Sequence, residues 1–446
     1  MLTLKLLGAA FLAVPVLLAQ VEPKAGAWRT WVVPSVSQIR AVAPPDAAGT
    51  SVEIQSLKAL LAEADPDTAA QAAYWDAGSP EYRWLQIAAQ QMLAQNVAAP
   101  LFTRGMALLS VAMYDATIAA WDSKYTFNRQ HPNMIDSTIK PSVNLANVPS
   151  YPSEHAVTAG AASVVLAYLF PAQGGVYADL AEEAARSRLF AGAAFPSDVS
   201  AGLDLGRTVG QMVVAYARTD NSDAVFAGSF PAAPGVWSSA TPVTPLAGTW
   251  KPWVMATGAD FRLATPPANT SSEYLAQVAA VKSFPRTNAS NHSAWFWQPS
   301  FITPWLDNLH REIFENRLDT NAPRAARAYA LEAIAVHDAT IGCWDTKYAY
   351  LELRPSLSDS TISPLFGNPQ HPGFPSGHAC ASQAAAAVQS YLFPNDAAAI
   401  GAMAVDGGLS TFDAAIHTMF DVQQGSVLGG KAGQAVVSKA QTDGAQ

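Results

Sequence analysis

Residues 115–125 read Asp-Ala-Thr-Ile-Ala-Ala-Trp-Asp-Ser-Lys-Tyr, and residues 338–348 read Asp-Ala-Thr-Ile-Gly-Cys-Trp-Asp-Thr-Lys-Tyr. The register extends outward from this pair. Lys124 recurs at Lys347, Pro152 at Pro375 and Asp220 at Asp443, always 223 residues on, while Trp28 and Trp31 recur at Trp250 and Trp253 with a one-residue slip. The run Tyr151–Pro171 likewise returns as Phe374–Pro394. A period this long exceeds that of any solenoid repeat, so the reading is a duplication of one whole unit. The first unit spans 20–223. A Gly/Pro/Ser-rich linker of turn formers covers 224–249, and the second unit spans 250–446.

The 446 residues carry 26 basic and 35 acidic side chains, a net charge of -9. That balance gives no support to a nucleic-acid surface, which needs clustered Lys and Arg. Charged residues are 14% and hydrophobic ones 50%, against roughly 25% charged in an average globular chain. Long Ala-rich segments such as Arg324–Asp345 and Ser376–Phe393 favour helix. Within the first of these, Ala328, Leu331, Ala335 and Ala339 recur at helical spacing and form one apolar face. Alternating β-branched runs are scarce. The fold is therefore predicted to be all-α, two tandem related helical bundles with Pro-rich loops carrying the chemistry. Residues 1–19 place one Lys before an apolar run and a small Ala19 before a polar stretch, the pattern of a signal peptide. No other segment reaches the roughly 18 apolar residues of a spanning helix. A secreted or periplasmic protein without an integral membrane segment is expected.

Three groups in the second unit have a shared use around an oxyanion. Lys347 offers a compact ammonium and Arg354, before Pro355, a planar fork suited to bidentate contacts. Ser376, Gly377 and His378 open the second Ala-rich helix, where backbone N–H groups face outward and a Gly permits close approach. His378 could exchange a proton there. His417 and Asp421 lie four apart on a predicted helix, so the carboxylate could orient the ring. Cys343 and Cys380 are compatible with either a disulfide or two buried thiols. Trp295, Phe296 and Trp297 would suit either an approach channel or the core.

The order Lys347-x6-Arg354-Pro355, Pro375-Ser376-Gly377-His378, then Ser410, His417 and Asp421 resembles the type 2 phosphatidic-acid phosphatase (PAP2)/vanadium haloperoxidase superfamily. The resemblance implies an all-helical fold of two related four-helix bundles, as in the soluble haloperoxidase branch. It implies that His417 is the vanadate ligand and catalytic nitrogen, or the nucleophile of a phosphatase. Lys347, Arg354, Ser376 and Gly377 would hold the oxygens, with His378 as the acid–base group and Asp421 supporting His417. His371 stands where the bromoperoxidase branch carries a His beside the cofactor, which implies bromide or iodide rather than chloride. The implied cofactor is vanadate, with hydrogen peroxide and halide as small-molecule substrates. The alternatives are a soluble acid phosphatase that needs no cofactor and acts on a phosphoester through phosphohistidine, and a catalytically degenerate homologue.

The departures from the signature are specific. Thr411 occupies the place of the third motif's Arg, Ala415 that of a Gly, and Asp413 adds a carboxylate nearby. The first unit fails in a complementary way: it keeps Ser187-Arg188 and Gly192, but has Ala194 for His417, His131 for Arg354 and Glu154 for Gly377. It is read as a structural copy, whose Arg188 could complete the second site only by crossing over to it. The Asp-Ala-Thr-Ile segment common to both units is read as core packing.

Overall fold

The computed structural model describes residues 20–230 and 232–445, so the predicted leader over 1–19 lies outside the described residues. Eight helices form the first half: α1 (Ala47–Ala62), α2 (Pro66–Asp76), α3 (Tyr82–Ala94), α4 (Ala99–Phe127), α5 (Pro132–Ile135), α6 (Glu154–Leu169), α7 (Gly174–Phe190) and α8 (Pro196–Ala217). Eight more repeat them: α9 (Ser272–Ser283), α10 (Asn288–Trp297), α11 (Thr303–Glu315), α12 (Ala322–Tyr350), α13 (Pro355–Ser358), α14 (Gly377–Leu392), α15 (Ala397–Asp413) and α16 (Met419–Ala440). Among the described residues the only β pairing is two isolated bridges. The fold is all-α and duplicated.

Composition explains the packing. In each half the Ala-rich α6 or α14 lies against the two helices that follow it, and α4 and α12 pack on each other across the halves. Close approach needs glycine at matched positions: a Cβ on Gly206 would overlap the Val157 carbonyl oxygen, and one on Gly429 the Cys380 carbonyl oxygen. The Asp-Ala-Thr-Ile segments do more than fill the core. Buried Asp115 accepts N–H bonds from Trp31, Val32 and Val33 at 2.7–2.9 Å. Asp338 does the same for Trp253, Val254 and Met255 at 2.8–3.2 Å. Each carboxylate thus pins the extended entry of its unit to the central helix.

The 224–249 stretch is laid along the second half. The Trp237 N–H donates to Leu351 O and the Val243 N–H to Gln370 O, both at 2.8 Å. The Val243 carbonyl accepts from Trp344 Nε1 and Tyr348 Oη, as the Val21 carbonyl does from Trp121 Nε1 and Tyr125 Oη. The repeated pattern therefore begins inside the stretch whose composition reads as linker.

Candidate active site

His417 sits in the turn between α15 and α16 rather than on a helix, which corrects the expectation of a shared helical face. Thr418 caps α16 and Asp421 is the third helical residue; the Thr418 N–H donates to Asp421 Oδ2 at 2.8 Å, and the Asp421 N–H to Thr418 Oγ1 at 3.1 Å. This capping box brings Asp421 Oδ2 to 3.2 Å from His417 Nδ1. With Nδ1–H donated to the carboxylate, Nε2 keeps its lone pair. Burial, then the nearby Arg354 and Lys347, hold the His417 pKa well below its ordinary value, so the ring is neutral at pH 7.

Arg354 is fully buried and caps α13. It donates through Nη1 to Ile416 O at 2.8 Å and through Nε to His371 O at 3.3 Å. It also reaches two ring nitrogens, His417 Nε2 from Nη1 and His371 Nδ1 from Nη2, each at 3.2 Å. The first half isolates what this arginine adds. There His131 makes the two matching carbonyl contacts, to Ala193 O at 2.9 Å and Val148 O at 3.0 Å, and nothing else is left to donate.

Ser376 caps α14, its Oγ accepting from the Ala379 N–H at 3.3 Å. Thr411 Oγ1 donates to Gly408 O at 2.9 Å and lies 3.0 Å from Ser376 Oγ, so the serine proton points at the threonine. Gly377 opens α14 with a helix-terminal N–H beside the Trp344 ring. His378 donates Nε2–H to the Trp297 carbonyl at 3.1 Å, which leaves Nδ1 as an acceptor. Burial pushes its pKa down to about 4. Lys347 has its three donors on carbonyls: Pro372 and Gly373 at 2.9 Å, and Pro375. It ties down the loop that leads to Ser376 and lends the site its charge from behind. Burial lowers its pKa to about 8.

One charged residue escaped the sequence reading. Glu352 faces Asp421, and both Glu352 Oε2 and Asp421 Oδ1 are buried without a hydrogen-bonding partner otherwise. Burial, then the facing carboxylate, raises the Glu352 pKa well above its usual range, so the pair holds a proton. In the first half the matching position is Arg129, which bridges Asp198 at 2.7 Å. That reversal of charge, 223 residues apart, was the signal available.

Arg188 pairs with Asp76 at 2.8 Å in the first half's own cavity, so it does not cross over. Glu154 there is bridged to Lys124 at 2.8 Å and puts a carboxylate where Gly377 leaves space. Cys343 and Cys380 are buried free thiols. Trp297 is buried with Nε1–H on Asp406, whereas Trp295 and Phe296 are exposed. Ala415 holds a φ of 58°, where the first half has Gly192 at 66°.

The groups converge on a cavity of about 190 Å³ lined by Arg354, His371, Gly377, His378 and His417, and closed by Phe102 of the first half. A neutral imidazole with an unprotonated Nε2, a guanidinium 3.2 Å from it and a helix-terminal amide are the parts of a cradle for a tetrahedral oxyanion. The chain is thus a duplicated all-helical protein whose second half keeps His417, Arg354 and Gly377 where the first half has Ala194, His131 and Glu154. The family model of the PAP2 superfamily matches residues 104–222 and 326–444, and the chain belongs to that superfamily.

Solved structures agree on the fold. The first bacterial vanadium-dependent iodoperoxidase is 19% identical with a TM-score of 0.65, over 81% of this chain and 96% of that one. A bacterial vanadium-dependent chloroperoxidase in its holo form is 13% identical with a TM-score of 0.58, covering 77% and 93%. Its apo form gives 13%, 0.59, 77% and 94%. No curated protein matches the chain in sequence. Among the described residues no helix is long and apolar enough to cross a membrane.

Proposed function

We propose that this chain is a vanadate-dependent haloperoxidase-like enzyme that oxidises halide, bromide or iodide in preference to chloride, with hydrogen peroxide. The observation that carries the reading is the unprotonated Nε2 of His417, held in its tautomer by Asp421 and facing the Arg354 guanidinium at 3.2 Å. When bound, vanadate would supply the Lewis acidity that activates hydrogen peroxide. His417 Nε2 would hold it, with Arg354 and the Gly377 N–H on its oxygens and Ser376 beside them. Lys347 contributes charge through the loop it fixes. His378 can take a proton at Nδ1, the nitrogen not committed to Trp297. His371 lines the same cavity against Trp344, at 4.9 Å between ring centroids, and supports the halide preference. The leader-like run supports a secreted or periplasmic location.

The test is bromide and iodide oxidation by the purified protein with and without orthovanadate, beside hydrolysis of a generic phosphomonoester. The expected result is vanadate-dependent halide oxidation; phosphate release inhibited by vanadate would instead identify the phosphohistidine route. Thr411→Arg should raise vanadate affinity: Trp75 and Trp297 hold matching places, each with Nε1–H on a carboxylate, so the residue matching Asp76, the partner of Arg188, is the uncharged Gln298. An arginine placed at 411 would therefore keep its charge for the anion. Unchanged affinity would show that the missing arginine does not limit the site.

A further inference from the structure

The duplication supplies an internal reference for a second cavity, between the two halves and sharing no lining residue with the His417 site. Its volume is about 260 Å³, and Arg29, Trp31, Tyr114, Trp253, Arg327 and Lys439 line it. Its pseudo-symmetric counterpart is built from the same parts. The Arg29 N–H donates to Asp443 O at 2.7 Å, and the Lys251 N–H to Asp220 O at 2.9 Å. Arg327 bridges Asp443 at 2.6 Å, and Arg104 bridges Asp220 at 2.7 Å. Trp31 and Trp253 meet edge to face at 6.3 Å between the two places.

The two places differ at four matched positions, Arg29 for Lys251, Thr30 for Pro252, Tyr114 for His337 and Lys439 for Tyr216, and the last decides the space. In the counterpart Tyr216 fills the space: its ring stacks on Trp253 at 4.5 Å and 22°, and the Lys251 ammonium sits 4.6 Å from its centroid. The residue at the matching position is Lys439. Trp31 and Arg29 thus line the cavity where the counterpart sets Trp253 and Lys251 around the Tyr216 ring, and a lysine takes the place of that ring. The lining carries three cations, Arg29, Arg327 and Lys439, against the single carboxylate of Asp443. Among the described residues neither Arg29 nor Lys439 pairs with a carboxylate.

We propose that this cavity binds a small aromatic carboxylate, its ring stacked on Trp31 under Arg29 and its carboxylate at Lys439 and Arg327. The ring preference follows from the stacking that Tyr216 demonstrates in the sister position. The charge preference follows from the excess of three lining cations over one carboxylate, with Lys439 unpaired, since a neutral ring leaves that excess unanswered and an inorganic anion leaves the tryptophan face bare.

The test titrates 4-hydroxybenzoate into the whole protein by calorimetry, with benzyl alcohol and inorganic phosphate as comparison probes. The aryl acid is expected to bind at least about tenfold more tightly than either comparison probe. Lys439→Tyr installs the sister residue, which the fold already accommodates at Tyr216, and should abolish binding by filling the slot. Lys439→Met removes the charge but leaves room, and should weaken the aryl acid while leaving benzyl alcohol unchanged. No binding of 4-hydroxybenzoate, equal binding of phosphate, or undiminished binding to Lys439→Tyr would each overturn the proposal.

Discussion

Replacing His417 by alanine is expected to abolish vanadate binding and every vanadate-dependent turnover while the protein stays folded. The first half already carries out the fold control, because Ala194 occupies the matching place in an equivalent turn, with Phe195 N–H on Asp198 as Thr418 N–H is on Asp421. The His417 Nδ1 is fixed on Asp421, and its Nε2 lone pair faces the Arg354 guanidinium. On the proposed function, removing the imidazole would take away the anchor of the oxyanion rather than one of several oxygen contacts. Losses on this scale, about 10³-fold or more, are typical when a unit of catalytic groups loses its nucleophile. The checks are turnover together with a denaturation midpoint. Retained turnover in a folded His417→Ala protein would mean that the chemistry lies elsewhere.

The second large effect should come from Arg354→His, which again borrows the first half's own residue. His131 shows that an imidazole there keeps both carbonyl contacts, to the partners that match Ile416 and His371. The substitution therefore preserves the turn and removes the donors aimed at His417 Nε2 and at the anion. With the third-motif arginine already replaced by Thr411, Arg354 is the guanidinium on which the site depends. Loss of one such preorganised donor costs about 10²–10³ in rate. Vanadate affinity and kcat measured together should fall, with little change in stability. A loss of stability with unchanged affinity would make Arg354 a structural residue only.

The fold was legible because duplication writes itself as identity at a fixed offset, and Ala-rich periodicity names the helix that each copy repeats. The cavity's members were legible because their spacing survives in one copy and fails in the other at His131, Glu154 and Ala194. What the spacing could not convey is where donors end up. Lys347 looks like an anion contact along the chain, but its ammonium is claimed by carbonyls 25 to 28 residues away. The His417–Asp421 contact came from a capping box, not a helical face. Glu352 needed the three-dimensional meeting of two turns, although its counterpart Arg129 hinted at it. The same comparison, applied to Tyr216 and Lys439, locates the second cavity.

On the proposed function His417 and Arg354 form a working oxyanion site despite the missing arginine. Calorimetric titration of orthovanadate into the unmodified protein and into His417→Ala tests it most directly. Saturable binding of one vanadate per chain, lost in the variant, is expected. No binding to the unmodified protein, or equal binding to both, would contradict it.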